Sequence, residues 1–235
     1  MHWLGVIGRH ARLPPNMQTA SRLQSPLLAA LTEPLRLLAT RGIVRSYPKK
    51  AVLINEGEKG DSLYVLVKGC VKAFSMDEDG REITYSIIQA GDYFGEMSLD
   101  GGPRSASVIT LEASTCCVLS RAEVEEHLVV YPEFAMNILA QVIRRARIAT
   151  EAARNMALLD VYGRLVAMLE KYDGPSTRNP DDSVTLDAIT HQEIASRVGA
   201  SREMVSRLLK DLQRGGYVRM ATKQIVLLRK LPARW

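Results

Sequence analysis

Glu96 and Arg104, a carboxylate and a guanidinium eight residues apart, lie in a glycine-rich stretch, GDYFGEMSLDGGPRSAS, over 91–107. Gly95 lets the backbone come close to a ligand. Glu96 accepts hydrogen bonds from hydroxyls such as those of a sugar. Gly101 and Gly102 allow a tight turn. Arg104 supplies a planar fork for a phosphate, and Ser105 adds a hydroxyl and an N–H to the same anion. The set suits a ligand with a diol-like edge and a phosphate. A surface loop closed by a Glu–Arg ion pair satisfies the same spacing.

A second set lies in THQEIASRVGASREMVSRLLKDLQRGG, over 190–216. Thr190 and Glu193 form a capping box. Ile194, Ala195 and Val198 give one apolar face; Gly199 breaks the helix and Ser201 caps the next. In that next helix Val205, Leu208, Leu209 and Leu212 share a face at helical spacing. The other face carries Glu203, Ser206, Arg207 and Lys210, with Arg202 beside them, and Gly215-Gly216 ends it. Two short helices joined this way form a helix-turn-helix. Arg bridges guanine O6 and N7, and Glu accepts from cytosine N4. A solvated helix whose first-turn acid favours the dipole fits the same charges. The following YVRMATKQIVLL predicts two strands, a wing with Arg219 and Lys223 facing a phosphate backbone.

Between the two sets runs PEFAMNILAQVIRRARIATEAARNMALL, over 132–159, without Gly or Pro after Pro132. It predicts a helix of several turns. Ala135, Ile138, Val142, Arg145, Ala149, Ala152 and Met156 alternate in steps of three and four, the seam of a two-stranded coiled coil. Arg145 is out of place in such a seam. A buried guanidinium needs an anion, from another part of the chain or from a ligand; otherwise it reaches out to solvent.

The elements that position these groups are legible in outline. Residues 1–24 read as a loosely ordered arm with Pro14-Pro15, and SPLLAALTEPLRLLATRG as one or two short helices. From Arg45 to Ser120, short apolar or alternating runs separated by NEGEKGD, DEDGR, QAGD and DGGP predict an antiparallel all-β unit, with a hairpin at Asp79-Gly80. Residues 121–131 read as helical. Asp160 caps a further helix, leaving a hinge near 156–160. GPSTRNPDDS reads as a polar loop, and Val184 to Trp235 as a compact second domain.

Composition agrees. The chain has 235 residues, 46% hydrophobic and 24% charged, enough for two domains. Its net charge of +5 divides into +7 from Thr190 onward and −2 before it, so a basic tail faces a polyanion. Cys70, Cys116 and Cys117 lack disulfide or metal-site spacing and read as reduced thiols. No apolar run is long enough to span a membrane, and the opening residues lack a secretion signal. An enzyme acting on the same ligand would need clustered metal ligands or an acid/base pair. The four histidines, His2, His10, His127 and His191, are scattered, so no catalysis is expected.

From about Leu37 to Leu228 the chain resembles the cyclic-AMP receptor protein branch of the bacterial transcription factors that include the fumarate–nitrate regulators. FGE at 94–96 with RSAS at 104–107 is similar to that family's phosphate-binding cassette; LLDVYGRL and QEIASRVGASREMVSRLLKDL are similar to its hinge helix and DNA-reading element. The resemblance implies an α+β fold, with an N-terminal antiparallel β-roll, a jelly roll for cyclic nucleotides, over 25–131. A dimerisation helix and hinge over 132–159 and a winged helix-turn-helix domain over 160–235 would follow.

The resemblance also implies site roles. Glu96 would hold the ribose 2′-hydroxyl, Arg104 and Ser105 the cyclic phosphate, with Gly95 and Met97 beside them. Arg145 would sit near the phosphate, and Thr150 would reach the base from a second subunit. Arg202, Glu203 and Arg207 would read a palindromic TGTGA-like half-site, with His191, Ser201, Ser206 and Lys210 completing the DNA-facing set. A homodimer on double-stranded DNA, contact with RNA polymerase through 173–183, a cytoplasmic location, no metal and no membrane partner complete the expectation. The effector implied is cyclic AMP. Ala149 stands where the family usually has a threonine that contacts adenine, so cyclic di-GMP and cyclic GMP stay open, as does DNA binding without ligand. Met204 and His191 replace residues that hold DNA phosphates. The cysteine cluster of the oxygen sensors is absent, which removes an iron–sulfur reading.

Overall fold

The computed structural model describes residues 28–172, 176–187 and 189–232; the expected arm over 1–24 lies outside them. A short helix α1 (Glu33–Ala39) leads into eight strands, β1 (Ile43–Tyr47), β2 (Val52–Ile54), β3 (Ser62–Lys68), β4 (Cys70–Met76), β5 (Glu82–Gln89), β6 (Tyr93–Phe94), β7 (Ser107–Thr110) and β8 (Ser114–Ser120). They form two four-stranded antiparallel sheets, ordered β1-β8-β3-β6 and β2-β7-β4-β5.

The run SLYVLVK looks continuously apolar because β3 is covered on both sides. Leu63, Val65 and Val67 pack with Leu35, Leu38, Val124 and Phe134 from the helices. Leu66 and Tyr64 turn into the roll with Ile54, Val71, Ile88, Phe94 and Cys116. Alternate side chains of a strand point to opposite faces, so both faces must be apolar. Asp77 to Arg81 closes the β4–β5 hairpin, with Gly80 at φ 76°. Cys116 and Cys117 are buried, and all three cysteines are free.

Helix α2 (Arg121–Val130), opened by a Ser120–Glu123 capping box, runs into α3 (Glu133–Leu158), a helix of 26 residues. The chain is extended at Leu159 and resumes as α4 (Val161–Glu170), whose N-cap Asp160 accepts from Gly163 N–H at 2.7 Å. Then come β9 (Ser176–Arg178), β10 (Val184–Leu186), α5 (His191–Val198), α6 (Arg202–Arg214), β11 (Val218–Ala221) and β12 (Gln224–Leu227). A separate core unites Leu165, Leu169, Ile194, Val205, Leu209, Leu212 and Ile225. The fold is thus a β-rich N-terminal unit, a long helix and a helix-turn-helix.

Two expectations need correction. The 174–183 stretch, read as a loop, contributes β9, which pairs with β10 and makes the wing sheet four-stranded, β11-β12-β10-β9. Three exposed residues carry no periodic signal. The expected coiled-coil seam also divides. Ile138 and Arg145 turn toward the β-roll with Phe134 and Gln141, while Ala135, Val142, Ala149, Ala152 and Met156 stay exposed. Leu139, Ile143 and Ile148 are exposed with them. Heptad spacing gives the width of an apolar stripe but not which edge of it meets the β-roll.

Candidate functional site

The first site is built where β6 leaves its sheet. Gly95 has φ 89°, and a Cβ there would lie 2.7 Å from the Ser62 carbonyl and 2.9 Å from Arg104 Nη1. Glycine is required both for the turn and for the close approach. The chain then makes one 3₁₀ turn, Glu96–Ser98, which places the Glu96 side chain wholly out of solvent. Arg104 enters from the opposite side, its N–H on the Glu58 carbonyl at 2.9 Å.

The Arg104 guanidinium is buried. Nη1 donates to the Gly95 carbonyl at 3.0 Å and to Ser98 Oγ at 2.7 Å; Nη2 donates to the Ser62 carbonyl at 2.9 Å. Of its five N–H donors, two are left without a partner among the described residues. Burial lowers the Arg104 pKa from its ordinary value, while Tyr64, Asp61 and Glu96 pull it back up; it stays a cation. Gly60 makes room for this head group, since a Cβ there would lie 2.6 Å from Nε.

Glu96 does not pair with Arg104. Its Oε1 accepts from Nη1 of Arg145, whose Nη2 donates to the Tyr93 carbonyl at 2.9 Å. The anion that Arg145 required is therefore a carboxylate of the chain itself. The second oxygen, Oε2, is buried with no hydrogen-bond partner among the described residues. One turn earlier, Gln141 Nε2 donates to Asp92 Oδ1 at 2.8 Å, and the Tyr93 hydroxyl donates to the Asn137 carbonyl at 3.2 Å. Sequence reasoning missed Gly60, Ser62, Asp92, Tyr93, Ser98 and Gln141 as parts of this joint; none carries a local signal. Gly95, Glu96, Arg104 and Arg145 lie together in the structure. Ser105 is exposed, its Oγ on Met97 Sδ at 3.3 Å, and Met97 is exposed too. Thr150 faces solvent and donates to its own helix at Ala146.

The joint fits a hydroxylated anion. A buried acceptor without a donor is costly, and a hydroxyl supplies one to Glu96 Oε2. The two remaining Arg104 donors suit a phosphate.

The second site is the outer face of α6. The Thr190–Glu193 capping box opens α5, Gly199 closes it at φ 64°, and Ser201 Oγ accepts from Met204 N–H at 3.1 Å to open α6. Val205, Leu209 and Leu212 bury one face. Arg202, Glu203, Arg207 and Lys210 are exposed on the other, along a groove that Ser206 also lines. Arg207 Nη2 donates to Met204 Sδ at 2.9 Å. Ser206 turns aside to His191, Oγ to Nδ1 at 2.8 Å. Burial, then the cations Arg202 and Lys210, hold the His191 pKa below its ordinary value. The wing follows, with Lys223 at φ 57° in its turn.

No helix among the described residues is long and apolar enough to cross a membrane. The sequence profile of the cyclic nucleotide-binding domain matches residues 44–129, and that of the Crp-like helix-turn-helix domain matches residues 163–231. A cAMP-activated global transcriptional regulator CRP from Escherichia coli O6:H1 is 36% identical over 187 residues, 78% of this chain and 89% of the relative. A CRP-like cAMP-activated global transcriptional regulator from Mycobacterium tuberculosis is 31% identical over 208 residues, 85% of this chain and 87% of the relative. Both relatives are named as transcriptional regulators. Among solved structures, the c-di-GMP responsive global regulator CLP from Xanthomonas campestris superposes with a TM-score of 0.74 at 25% identity. That match covers 83% of this chain and 98% of the other. With the buried Glu96 and Arg104 in the first matched region and a capped helix pair in the second, the chain belongs to the CRP/FNR family of transcription regulators.

Proposed function

We propose that this regulator acts as a cytoplasmic homodimer that binds cyclic AMP at the Glu96–Arg104 joint and then a palindromic TGTGA-like duplex through α6, without catalysis. The observation that carries the ligand reading is Glu96 Oε2, a fully buried acceptor that lacks a donor among the described residues. A ribose hydroxyl supplies that donor, and the cyclic phosphate takes the two remaining N–H groups of Arg104. Ser105 and Met97 close the open side, and Thr150 of a second copy reaches the base. The relatives from E. coli and M. tuberculosis are named as cAMP-activated. The regulator CLP is named as c-di-GMP responsive. Ala149 leaves the base end of the pocket without a hydroxyl, so cyclic di-GMP and cyclic GMP are the alternative effectors.

The long helix α3 supplies both a pocket residue, Arg145, and an exposed apolar stripe for a second copy. A ligand that binds one arrangement of the two helices better than another shifts the population toward it. The break at Leu159–Asp160 lies between that helix and the DNA-reading domain, and contact with RNA polymerase through 173–183 completes the reading. We divide the chain into an arm (1–24), a nucleotide-binding unit (25–131), a dimer helix with hinge (132–159) and a DNA-binding unit (160–235). The test is duplex binding by Arg104→Leu. Loss of the response to cyclic AMP supports the phosphate role; a wild-type response refutes it.

A further inference from the structure

The first helix of a helix-turn-helix crosses the DNA backbone while the second lies in the major groove. His191 is the first residue of that first helix, and Ser206 belongs to the second. Their side chains meet, Nδ1 to Oγ at 2.8 Å. Both are partly exposed, so neither is sealed in the core. A hydroxyl suits either state of the ring, donating to a neutral Nδ1 or accepting from a protonated one. In both states Nε2 carries the other hydrogen and is turned away from Ser206. Protonation therefore adds a charge without moving the donor.

We propose that His191 is a proton-gated phosphate contact of the DNA-binding face, oriented by Ser206, so that duplex binding takes up a proton. This rests on the DNA-binding reading above and adds a regulation to it. The charged groups acting on the ring are Arg202 and Lys210 from α6. On its own helix Glu193 is committed to the Thr190 cap, at 2.8 Å to both the N–H and the hydroxyl. Burial, then two cations with no uncommitted acid from its own helix beside the ring, disfavour its charged form in the free protein. A phosphate monoanion laid against Nε2 reverses that balance. Ser206 is thus a positioning residue rather than a base reader.

The experiment measures anisotropy of a labelled duplex carrying inverted TGTGA half-sites, with cyclic AMP present and ionic strength fixed. Wild-type Kd falls about tenfold or more between about pH 8 and about pH 5.5, as expected if binding raises the pKa of both imidazoles of the dimer by about one unit. The log K against log salt slope steepens by about two at the lower pH, because each subunit of the dimer neutralises one further phosphate. In His191→Gln the pH dependence shrinks below about twofold and the slope no longer changes. Ser206→Ala shifts the pH midpoint, and Ser206→Thr restores it. A wild-type pH profile and salt slope in His191→Gln overturns the proposal. NMR titration of the His191 ring in the wild-type protein is independent of any folding defect in the variants. A ring pKa that does not rise on adding the duplex overturns it equally. Absence of duplex binding in every arm overturns the DNA-binding reading itself, and this inference with it.

Discussion

Arg145, carried by the long helix, is paired with Glu96 of the β-roll, a carboxylate wholly screened from solvent beside a guanidinium 24% exposed. Removing the guanidinium leaves a buried charge alone, which costs more than the pair itself contributes. With Arg145 partly exposed, Arg145→Met is expected to lose about 3 kcal/mol of stability at neutral pH, the low end for breaking a buried pair. Urea unfolding of the full chain measures it. Adding Glu96→Gln to that variant recovers part of the loss, and an unchanged midpoint in Arg145→Met would refute the pairing.

Gly60 and Arg104 give a prediction that separates binding from stability. A Cβ at Gly60 meets Nε at 2.6 Å and the Cζ carbon at 3.0 Å. The obstacle is the end of a side chain, so the fold accommodates it by displacing the guanidinium. Gly60→Ala is expected to weaken cyclic AMP binding at least about tenfold, or about 1.4 kcal/mol, with stability changed by less. Calorimetric titration alongside thermal unfolding checks both halves.

Much of the second site was legible because its signals are local. Thr190 with Glu193, Gly199 and Ser201 are helix boundaries written within a few residues of the groups they cap. The first site was legible only in its cassette. The partner of Glu96 lies 49 residues along the chain on another element, and no spacing rule links them. A period of three and four marks a stripe on α3 but cannot tell that its Arg145 edge is covered by Tyr93 and Glu96. His191 and Ser206 are 15 residues apart on different helices; their hydrogen bond exists only once Gly199 has turned the chain.

His127 predicts a pH dependence of stability. It is fully buried, between the rings of Tyr131 and Phe134, and neither ring nitrogen has a hydrogen-bond partner among the described residues. Burial, then Arg41, depress its pKa, against a smaller pull from Glu133. The folded state favours the neutral ring, so this contribution is whole above the unfolded value of about 6.5 and is lost as pH falls below it. His127→Phe, which keeps the ring and removes the titration, is expected to flatten the decline of Tm between about pH 7 and about pH 5. An equal decline in both proteins contradicts this.

Leu139, 48% exposed, lies on the α3 stripe assigned to a second copy. Leu139→Glu places charges against each other across that seam and is expected to convert dimer to monomer in sedimentation velocity. Helical content is expected to stay the same by circular dichroism, since the residue belongs to none of the core clusters of the described residues.

The central claim is that a cyclic nucleotide at the Glu96–Arg104 joint controls the DNA-reading face. Its most direct test is the affinity of the full chain for the TGTGA duplex measured with and without cyclic AMP, with cyclic GMP and cyclic di-GMP as parallel arms. Binding at least about tenfold tighter with cyclic AMP, a coupling of about 1.4 kcal/mol, is the predicted result. The same affinity in all four conditions would contradict it.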